Sequence, residues 1–203
     1  TKQSAMFSNV RFAGAADFSG ASFTQYEDFG GARFDGDATF SRASFIALPR
    51  TRYEMDFPQH ANFGNATFAQ DADFSKATFT AHVGFYKATF AREVSFNGAS
   101  FEGAYFADAT FGQRADFRQT SFMYVKPSFE ALDRRLQRAR FSAQADPQDY
   151  LFEARPESAH GFSCGEAELL NRTFVLPLGA VLYDPDSWDE EKHEYTRLSE
   201  PAQ

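Results

Sequence analysis

The sequence has few of the residues that usually mark a catalytic, metal-binding or disulfide-stabilised protein. Its 203 residues include one cysteine, Cys164, and four histidines, none of which stands at a spacing typical of a zinc site. A single cysteine excludes an intramolecular disulfide and is typical of a protein from a reducing compartment. We therefore expect a cytoplasmic protein that has no catalytic, cofactor-binding or metal-binding residues.

Long apolar runs are also missing, since no stretch approaches the roughly 18 consecutive apolar residues that a membrane-spanning helix needs. No charged segment followed by an apolar one opens the chain, so no signal peptide is visible. Phosphate-binding loops and dinucleotide fingerprints are absent as well. The formal net charge of −8 and the lack of a basic stripe argue against direct nucleic-acid binding. We expect no membrane contact through this segment.

Phenylalanine, in contrast, is abundant and regularly spaced. The chain contains 26 phenylalanines, and most of them follow one another at alternating steps of five and six residues. Two residues before each repeated phenylalanine the chain almost always carries Ala or Val, and the exceptions are Glu27, Met55 and Thr120. The repeated positions are Phe7, Phe12, Phe18, Phe23, Phe29, Phe34, Phe40, Phe45, Phe57, Phe63, Phe68, Phe74, Phe79, Phe85, Phe90, Phe96, Phe101, Phe106, Phe111, Phe117 and Phe122.

This spacing predicts a solenoid. Ala and Phe two residues apart point to the same side of an extended strand, whereas a step of five or six residues leaves no apolar face on a helix. Four short sides would close a square coil in which phenylalanines stack between coils and the small residues fill the corners. The predicted core ladder includes Phe18, Phe23, Phe29, Phe34, Phe63, Phe68, Phe74, Phe79, Phe85 and Phe90.

Segments such as Ala16–Gly20 and Ala72–Lys76 follow the pattern A-[D/N]-[L/F]-[S/T]-x, and Ala115–Gln119 follows it except at Arg118. The chain therefore resembles the pentapeptide-repeat family, in a Phe-rich form with an extra residue in alternate units. The resemblance covers about residues 3–124. It implies a right-handed quadrilateral β-helix, here of about five coils, and the extra residue indicates that one side or corner is wider.

We divide the chain into residues 1–126, the β-helix, and residues 127–203, a C-terminal capping and extension segment. Apolar residues spaced along one helical face predict a capping helix over 128–140, because an open coil end would expose sheet edges and stacked rings. A dimerisation helix is the alternative. Beyond it we expect a small irregular or β extension, with a degenerate coil near 167–174, a strand pair within 173–183 and a mobile acidic tail from Asp184.

The regular spacing of phenylalanines is interrupted once, between Phe45 and Phe57. We expect a bulge there that carries Arg50, Arg52 and Tyr53. A harmless bulge is one interpretation, and a partner contact is the other, because Arg and Tyr are enriched at interface hot spots.

The segment 161–165 matches the nucleophile-elbow pattern G-x-S-x-G around Ser163, and three aspartates and His193 follow in the order of α/β-hydrolases. Too few residues lie outside the coil for that fold, so a small hydrolase site is the weakest of our alternatives.

The sequence thus favours a non-enzymatic, bacterial scaffold that presents a rigid surface to a protein partner. Some members of the resembled family mimic DNA, bind type II topoisomerases such as gyrase and give drug tolerance, and this is our second hypothesis. Residues 1–126 carry 13 acidic and 12 basic residues, which weakens it unless the charges segregate by face. A homodimer through the C-terminal segment is a further expectation.

Overall fold

The computed structural model describes residues 6–46, 59–130 and 137–203, in which nearly all regular secondary structure is β-strand. They form strands β1 to β24 and two short 3-10 turns, at Pro147–Asp149 and Pro185–Ser187. Most strands are two residues long and pair in parallel with the corresponding strands of the neighbouring coils. The chain therefore winds as a four-sided coil, whose sides we call faces 1 to 4.

Faces 1 and 2 are continuous parallel sheets. Face 1 contains, in order along the coil, β1 (Arg11–Phe12), β5 (Arg33–Phe34), β9 (Thr67–Phe68), β12 (Thr89–Phe90), β15 (Thr110–Phe111), β18 (Arg140–Ser142) and β22 (Val181–Tyr183). Face 2 contains β2 (Ala16–Asp17), β6 (Ala38–Thr39), β10 (Ala72–Asp73), β13 (Val94–Ser95), β16 (Ala115–Asp116) and β19 (Tyr150–Leu151).

Faces 3 and 4 share two longer strands that turn the corner between them, β11 (Thr78–Gly84) and β14 (Ser100–Tyr105). Face 3 also contains β3 (Ser22–Phe23), β7 (Ser44–Phe45) and β17 (Ser121–Phe122). Face 4 also contains β4 (Glu27–Asp28) and β8 (Gln59–Asn62), and single bridges at Met6 and Ser128 begin and end it. Five coils separate these two bridges, as the repeat count predicted.

The alternation of five- and six-residue steps reflects two kinds of corner. A five-residue step contains a tight turn, as where the Ala77 amide donates to the Phe74 carbonyl at 3.1 Å. The residue before that alanine takes a positive φ, as at Lys76 (58°) and Gly20 (66°). Such turns follow faces 2 and 4, while the extra residue falls at the wider corners after faces 1 and 3, except at the five-residue step from Phe101 to Phe106.

Phenylalanine ladders fill the interior. Each described phenylalanine other than Phe162 and Phe174 lies in one of four ladders, one per face. Neighbouring rings of a ladder stack with centroids 4.5–5.4 Å apart, close to the rung spacing of a parallel sheet. Rings from the opposite faces 2 and 4 meet edge to face across the interior, as for Phe74 and Phe85 at 5.4 Å and 84°. Stacking along the coil and edge contacts across it therefore both use favourable ring geometries.

The ladders continue past residue 126. Phe129 stacks on Phe106 at 4.9 Å, Phe141 on Phe111 at 4.5 Å and Phe152 on Phe117 at 5.4 Å. The expected boundary at 126/127 therefore does not coincide with the end of the coil, and the division into two segments remains a prediction.

The expected capping helix is wrong at both of its ends. Residues 128–130 and 137–139 are not helical, and Arg140 begins strand β18, while residues 131–136 lie outside the described residues. Phe129 shows the physical reason, because its ring completes the face 4 ladder and its backbone must therefore follow the coil.

Strands cap this end of the coil instead. Strand β20 (Cys164–Leu169) pairs antiparallel with β21 (Arg172–Pro177) where we expected a degenerate coil. Strands β21 and β22 do not form the expected pair, since β22 joins face 1 beside β18. Phe162 packs edge-on against Phe122 at 5.3 Å, and Phe174 contacts Tyr150 at 5.9 Å.

The acidic tail is folded rather than mobile. Strand β23 (Trp188–Asp189) pairs with β24 (Glu194–Tyr195), and the Ala202 amide donates to the Ala180 carbonyl at 2.8 Å. Asp184 is buried and paired with Arg197 at 3.0 Å.

We expect Phe74→Ala to lower the free energy of unfolding by about 3–5 kcal/mol, because Phe74 is fully buried between Phe40 and Phe96. Phe18→Ala on the same face is the matched control. Phe18 is only partly buried and stacks on one ring, Phe40, so its loss should be clearly smaller. Denaturant unfolding measures both losses, and equal values would contradict the ladder.

Candidate interaction surface

The four faces present different chemistry to solvent, because the residue directly before each ladder phenylalanine points outward. Face 3 presents only hydroxyl side chains at this position in the described strands: Ser22, Ser44, Thr78, Ser100 and Ser121. Face 1 presents basic and hydroxyl residues: Arg11, Arg33, Thr67, Thr89, Thr110 and Arg140. Face 2 is the one on which carboxylates accumulate.

Two adjacent rows of face 2 supply these carboxylates. One row holds the residues directly before the inward-facing Ala or Val, and the other holds the residues directly after it. They line a shallow groove of about 430 Å³ along the face. We call the carboxylates of the two rows the acidic face, which consists of Asp17, Asp37, Asp71, Asp73, Glu93 and Asp116.

Arginines neutralise part of the acidic face. Asp116 is buried, which by itself would raise its pKa, but hydrogen bonds from Arg118 and Arg114 hold the pKa below its usual value. The Arg118 Nη2–Asp116 Oδ2 distance is 2.6 Å. Arg92 lies 3.6 Å from Asp71, and both side chains are more than half exposed, so this pair is weak. Uncompensated negative charge therefore lies mainly in the first four coils.

Hydrogen bonds fix the direction of two acidic-face carboxylates. The Ser19 amide donates to Asp17 Oδ1 at 2.8 Å, and hydrogen bonds from the Ser19 hydroxyl and amide lower the pKa of Asp17. The Ser75 amide donates to Asp73 Oδ1, also at 2.8 Å. These local turns hold the carboxylates in a repeating geometry on a rigid coil, so a binding partner would pay little entropy to order them.

Two pairs of carboxylates stand two residues apart in the sequence, Asp35 with Asp37 and Asp71 with Asp73, and they divide into two groups. Asp35 is held by Arg11 and Arg33, and hydrogen bonds from these two arginines lower its pKa. Asp37, Asp71 and Asp73 line the groove on face 2. Every fourth repeat lies on the same face, so reading the charges in that register would have found the acidic face from sequence.

The candidate partner-binding residues Arg50, Arg52 and Tyr53 lie outside the described residues, so their role remains a prediction. The chain leaves face 3 at Ile46 and is described again from β8 on face 4.

Ser163 does not have the geometry of a nucleophile elbow. The residues that follow it form β20, part of an antiparallel hairpin, whereas the elbow needs a strand that leads into a helix. Asp184 is held by Arg197, and the exposed Cys164 has a thiol pKa that desolvation raises, which lowers its reactivity.

Three of the four histidines have described side chains, and they lie apart. The buried His82 lies with Nδ1 3.1 Å from the Tyr105 hydroxyl on face 4. His160 Nε2 lies 3.0 Å from the Tyr124 carbonyl, and His193 lies beside Trp188. Among the residues that the structure describes, no group of three or more His, Cys, Asp or Glu side chains is placed to hold a metal ion.

Glu27 is an ionisable residue in the interior of the coil. It occupies the inward position that Ala61, Val83 and Ala104 fill in the following coils, and only 2% of it is exposed. Its Oε1 accepts from the Gln25 amide at 3.0 Å, but Oε2 is buried with no hydrogen-bond partner among the described residues. Burial raises the pKa of Glu27 to about 7.

The sequence model described as pentapeptide repeats, nine copies, matches residues 2–45 and 76–121. Through these repeats the chain belongs to the pentapeptide-repeat family. The fold is accordingly the right-handed quadrilateral β-helix of pentapeptide-repeat proteins, which are in general structural or binding scaffolds. No curated protein and no solved structure matches the chain significantly. Within the described part of this pentapeptide-repeat protein, no helix is long and apolar enough to cross a membrane.

Glu27 makes the stability of the coil depend on pH. Its pKa is higher in the folded protein than its ordinary 4.5, so its stabilising contribution is complete below about pH 4.5 and is lost as the pH rises to about 7. We expect the free energy of unfolding of Glu27→Ala, relative to that of wild type, to increase by about 1–3 kcal/mol as the pH rises from about 5.5 to about 8. Denaturant unfolding at several pH values measures this difference, and a pH-independent difference would contradict the assignment.

Proposed function

We propose that this pentapeptide-repeat protein is a non-enzymatic scaffold whose acidic face binds a basic surface of a protein partner. The observation that carries the proposal is the segregation of carboxylates onto face 2 of a rod whose repeat region is nearly neutral. The small number of cysteines favours a cytoplasmic site of action, which also remains a proposal.

The acidic face suits protein recognition better than catalysis. Its groove is shallow and open, its carboxylates repeat at the rung spacing of about 4.8 Å, and two of them are fixed by local turns. A rigid and repetitive negative surface is complementary to a partner that presents a row of Lys or Arg side chains. Such complementarity gives specificity and fast association more than it gives raw affinity.

The scaffold proposal is tested with a defined cationic probe, a fluorescently labelled oligolysine peptide. The variant Asp37→Asn/Asp71→Asn/Asp73→Asn/Glu93→Gln removes four carboxylates that line the groove. We expect wild type to bind the peptide in a salt-dependent manner and the variant to bind at least about tenfold more weakly.

The matched control is Glu166→Gln/Glu168→Gln/Glu190→Gln/Glu191→Gln, which removes the same charge from exposed positions of the C-terminal segment. Equal losses in the two variants would mean that the peptide responds to net charge alone, and the acidic face would then have no special role.

A topoisomerase-binding DNA mimic is the second candidate. The acidic face supports this candidate, although the composition of the coil as a whole is nearly neutral. Six carboxylates over four rung steps of about 4.8 Å fall well below the one charge per about 1.7 Å of duplex DNA. Arg92, Arg114 and Arg118 reduce the net negative charge of the acidic face further. We therefore rank a basic protein surface ahead of full DNA mimicry.

A gyrase supercoiling assay, with and without a quinolone, separates the two candidates. Inhibition or drug protection that is lost in the four-carboxylate groove variant would promote the DNA mimic. Absence of any effect, together with peptide binding by the acidic face, would leave the scaffold as the function.

A further inference from the structure

The hairpin of strands β23 and β24 brings three aromatic rings together. Trp188 and Tyr195 are register partners across the hairpin, so their side chains share one side of it. Their ring centroids lie 5.0 Å apart and their planes are inclined at 65°. The His193 ring lies 6.4 Å from the Trp188 ring, inclined at 51°. Inclined rings at these distances form a corner, which we call the aromatic corner.

The aromatic corner is fixed to the coil but open to solvent. Tyr195 packs against Tyr183 of face 1, with centroids 4.4 Å apart, and the Thr196 amide donates to the Ser187 carbonyl at 2.9 Å. Trp188 is nevertheless 42% exposed, and His193 is exposed as well. A large ring that is held in place and still reaches water is available to a ligand.

Charge selects a cation as the occupant of the aromatic corner. Residues 184–197 contain six acidic and two basic residues, so their net charge of −4 is half of the −8 of the whole chain. The side chains of Glu190, Glu191 and Glu194 form no ion pair within the described ranges. The face of an aromatic ring attracts cations, and nearby carboxylates add to this attraction.

The basic residues around the hairpin are engaged with other groups, which weakens their opposition to a cationic ligand. These contacts are Lys192 with Asp189 at 3.4 Å, Arg197 with Asp184 at 3.0 Å, Arg138 with the Gly179 carbonyl at 3.0 Å and Arg140 with Asp108 at 2.9 Å. Among the described residues, the unpaired charge of the hairpin is therefore negative.

Hydration and shape narrow the class of cation. The ammonium of a lysine is strongly hydrated, and partly exposed rings repay little of the cost of removing that water. The planar guanidinium of an arginine stacks on a flat ring face, which a corner between inclined rings does not offer. A quaternary ammonium group is compact and weakly hydrated, and aromatic rings recognise it well. A phosphate next to the ammonium would be repelled by the hairpin carboxylates.

We propose that Trp188, Tyr195 and His193 bind a small quaternary ammonium ligand of the choline type, and that Glu190 and Glu191 supply the opposite charge. The site is separate from the acidic face and does not rest on the scaffold function.

Tryptophan fluorescence of the full chain tests the proposal, because Trp188 is the only tryptophan and reports on this site alone. We expect a saturable change with choline at constant ionic strength. Neohexanol, in which carbon replaces the nitrogen, keeps the shape without the charge, and ethanolamine keeps the charge without the methyl groups. Each should bind at least about fivefold more weakly than choline, and so should phosphocholine.

Variants at exposed positions keep the test independent of folding. Glu190→Gln/Glu191→Gln should weaken choline binding at least about threefold, whereas the matched control Glu166→Gln/Glu168→Gln on the β20–β21 hairpin should keep the wild-type value. His193→Ala should weaken binding, and His193→Phe, which retains a ring, should restore it.

Four results would each overturn the proposal. They are the absence of a saturable change with choline, binding of ethanolamine or neohexanol as tight as that of choline, equal losses in the two glutamine variants, and a His193→Phe variant no better than His193→Ala. Binding of a trimethyl-lysine peptide more than about tenfold tighter than that of choline would also overturn it, since the ligand would then be a methylated protein side chain.

Discussion

The stacking of phenylalanine rings between coils is the interaction on which the rest of this structure depends. Parallel strands place equivalent residues about 4.8 Å apart, and this is close to the distance at which aromatic rings stack. When a ring is repeated at the same position of each coil, the same spacing therefore suits both the hydrogen bonds between parallel strands and the stacking of the rings. Rings from the opposite faces 2 and 4 fill the interior between them edge to face, as Phe63 and Phe74 do at 5.3 Å and 87°. Small residues are then required at the inward positions that flank the rings.

The same constraint explains what the surface can do. Because the interior fixes every second residue, variation is confined to outward positions and corners, and residues on one face recur only at every fourth repeat. Charges can therefore gather on a single face without changing the near-neutral composition of the coil, as Asp37, Asp71 and Glu93 do on face 2. Glu27 is the exception that enters the interior, and its raised pKa is the consequence. Rigidity and segregated charge together support a binding role for the rod.

The regular coil could be predicted because its signal is local and repeated. The later ladder residues Phe129, Phe141 and Phe152 could not, because their wider spacing breaks the period while their rings still occupy ladder positions. The helix expected over 128–140 is wrong at its described ends, and at the first of them the tertiary stacking of Phe129 outweighs the local apolar pattern. The capping hairpin depends on pairings such as Ala167 with Phe174, for which the sequence carries no repeat. The acidic face is hidden in the composition because basic residues elsewhere on the coil balance its carboxylates, which leaves residues 1–126 nearly neutral.

Ring contacts between residues remote in sequence test the central claim most directly. In protein labelled selectively at phenylalanine, NMR cross-relaxation between ring protons would detect the pair Phe111 and Phe141, whose centroids lie 4.5 Å apart across the expected boundary at residue 126. The ladder account predicts a strong cross-peak between these two rings. A Phe141 ring that contacts only its neighbours in sequence, with no cross-peak to Phe111, would contradict it.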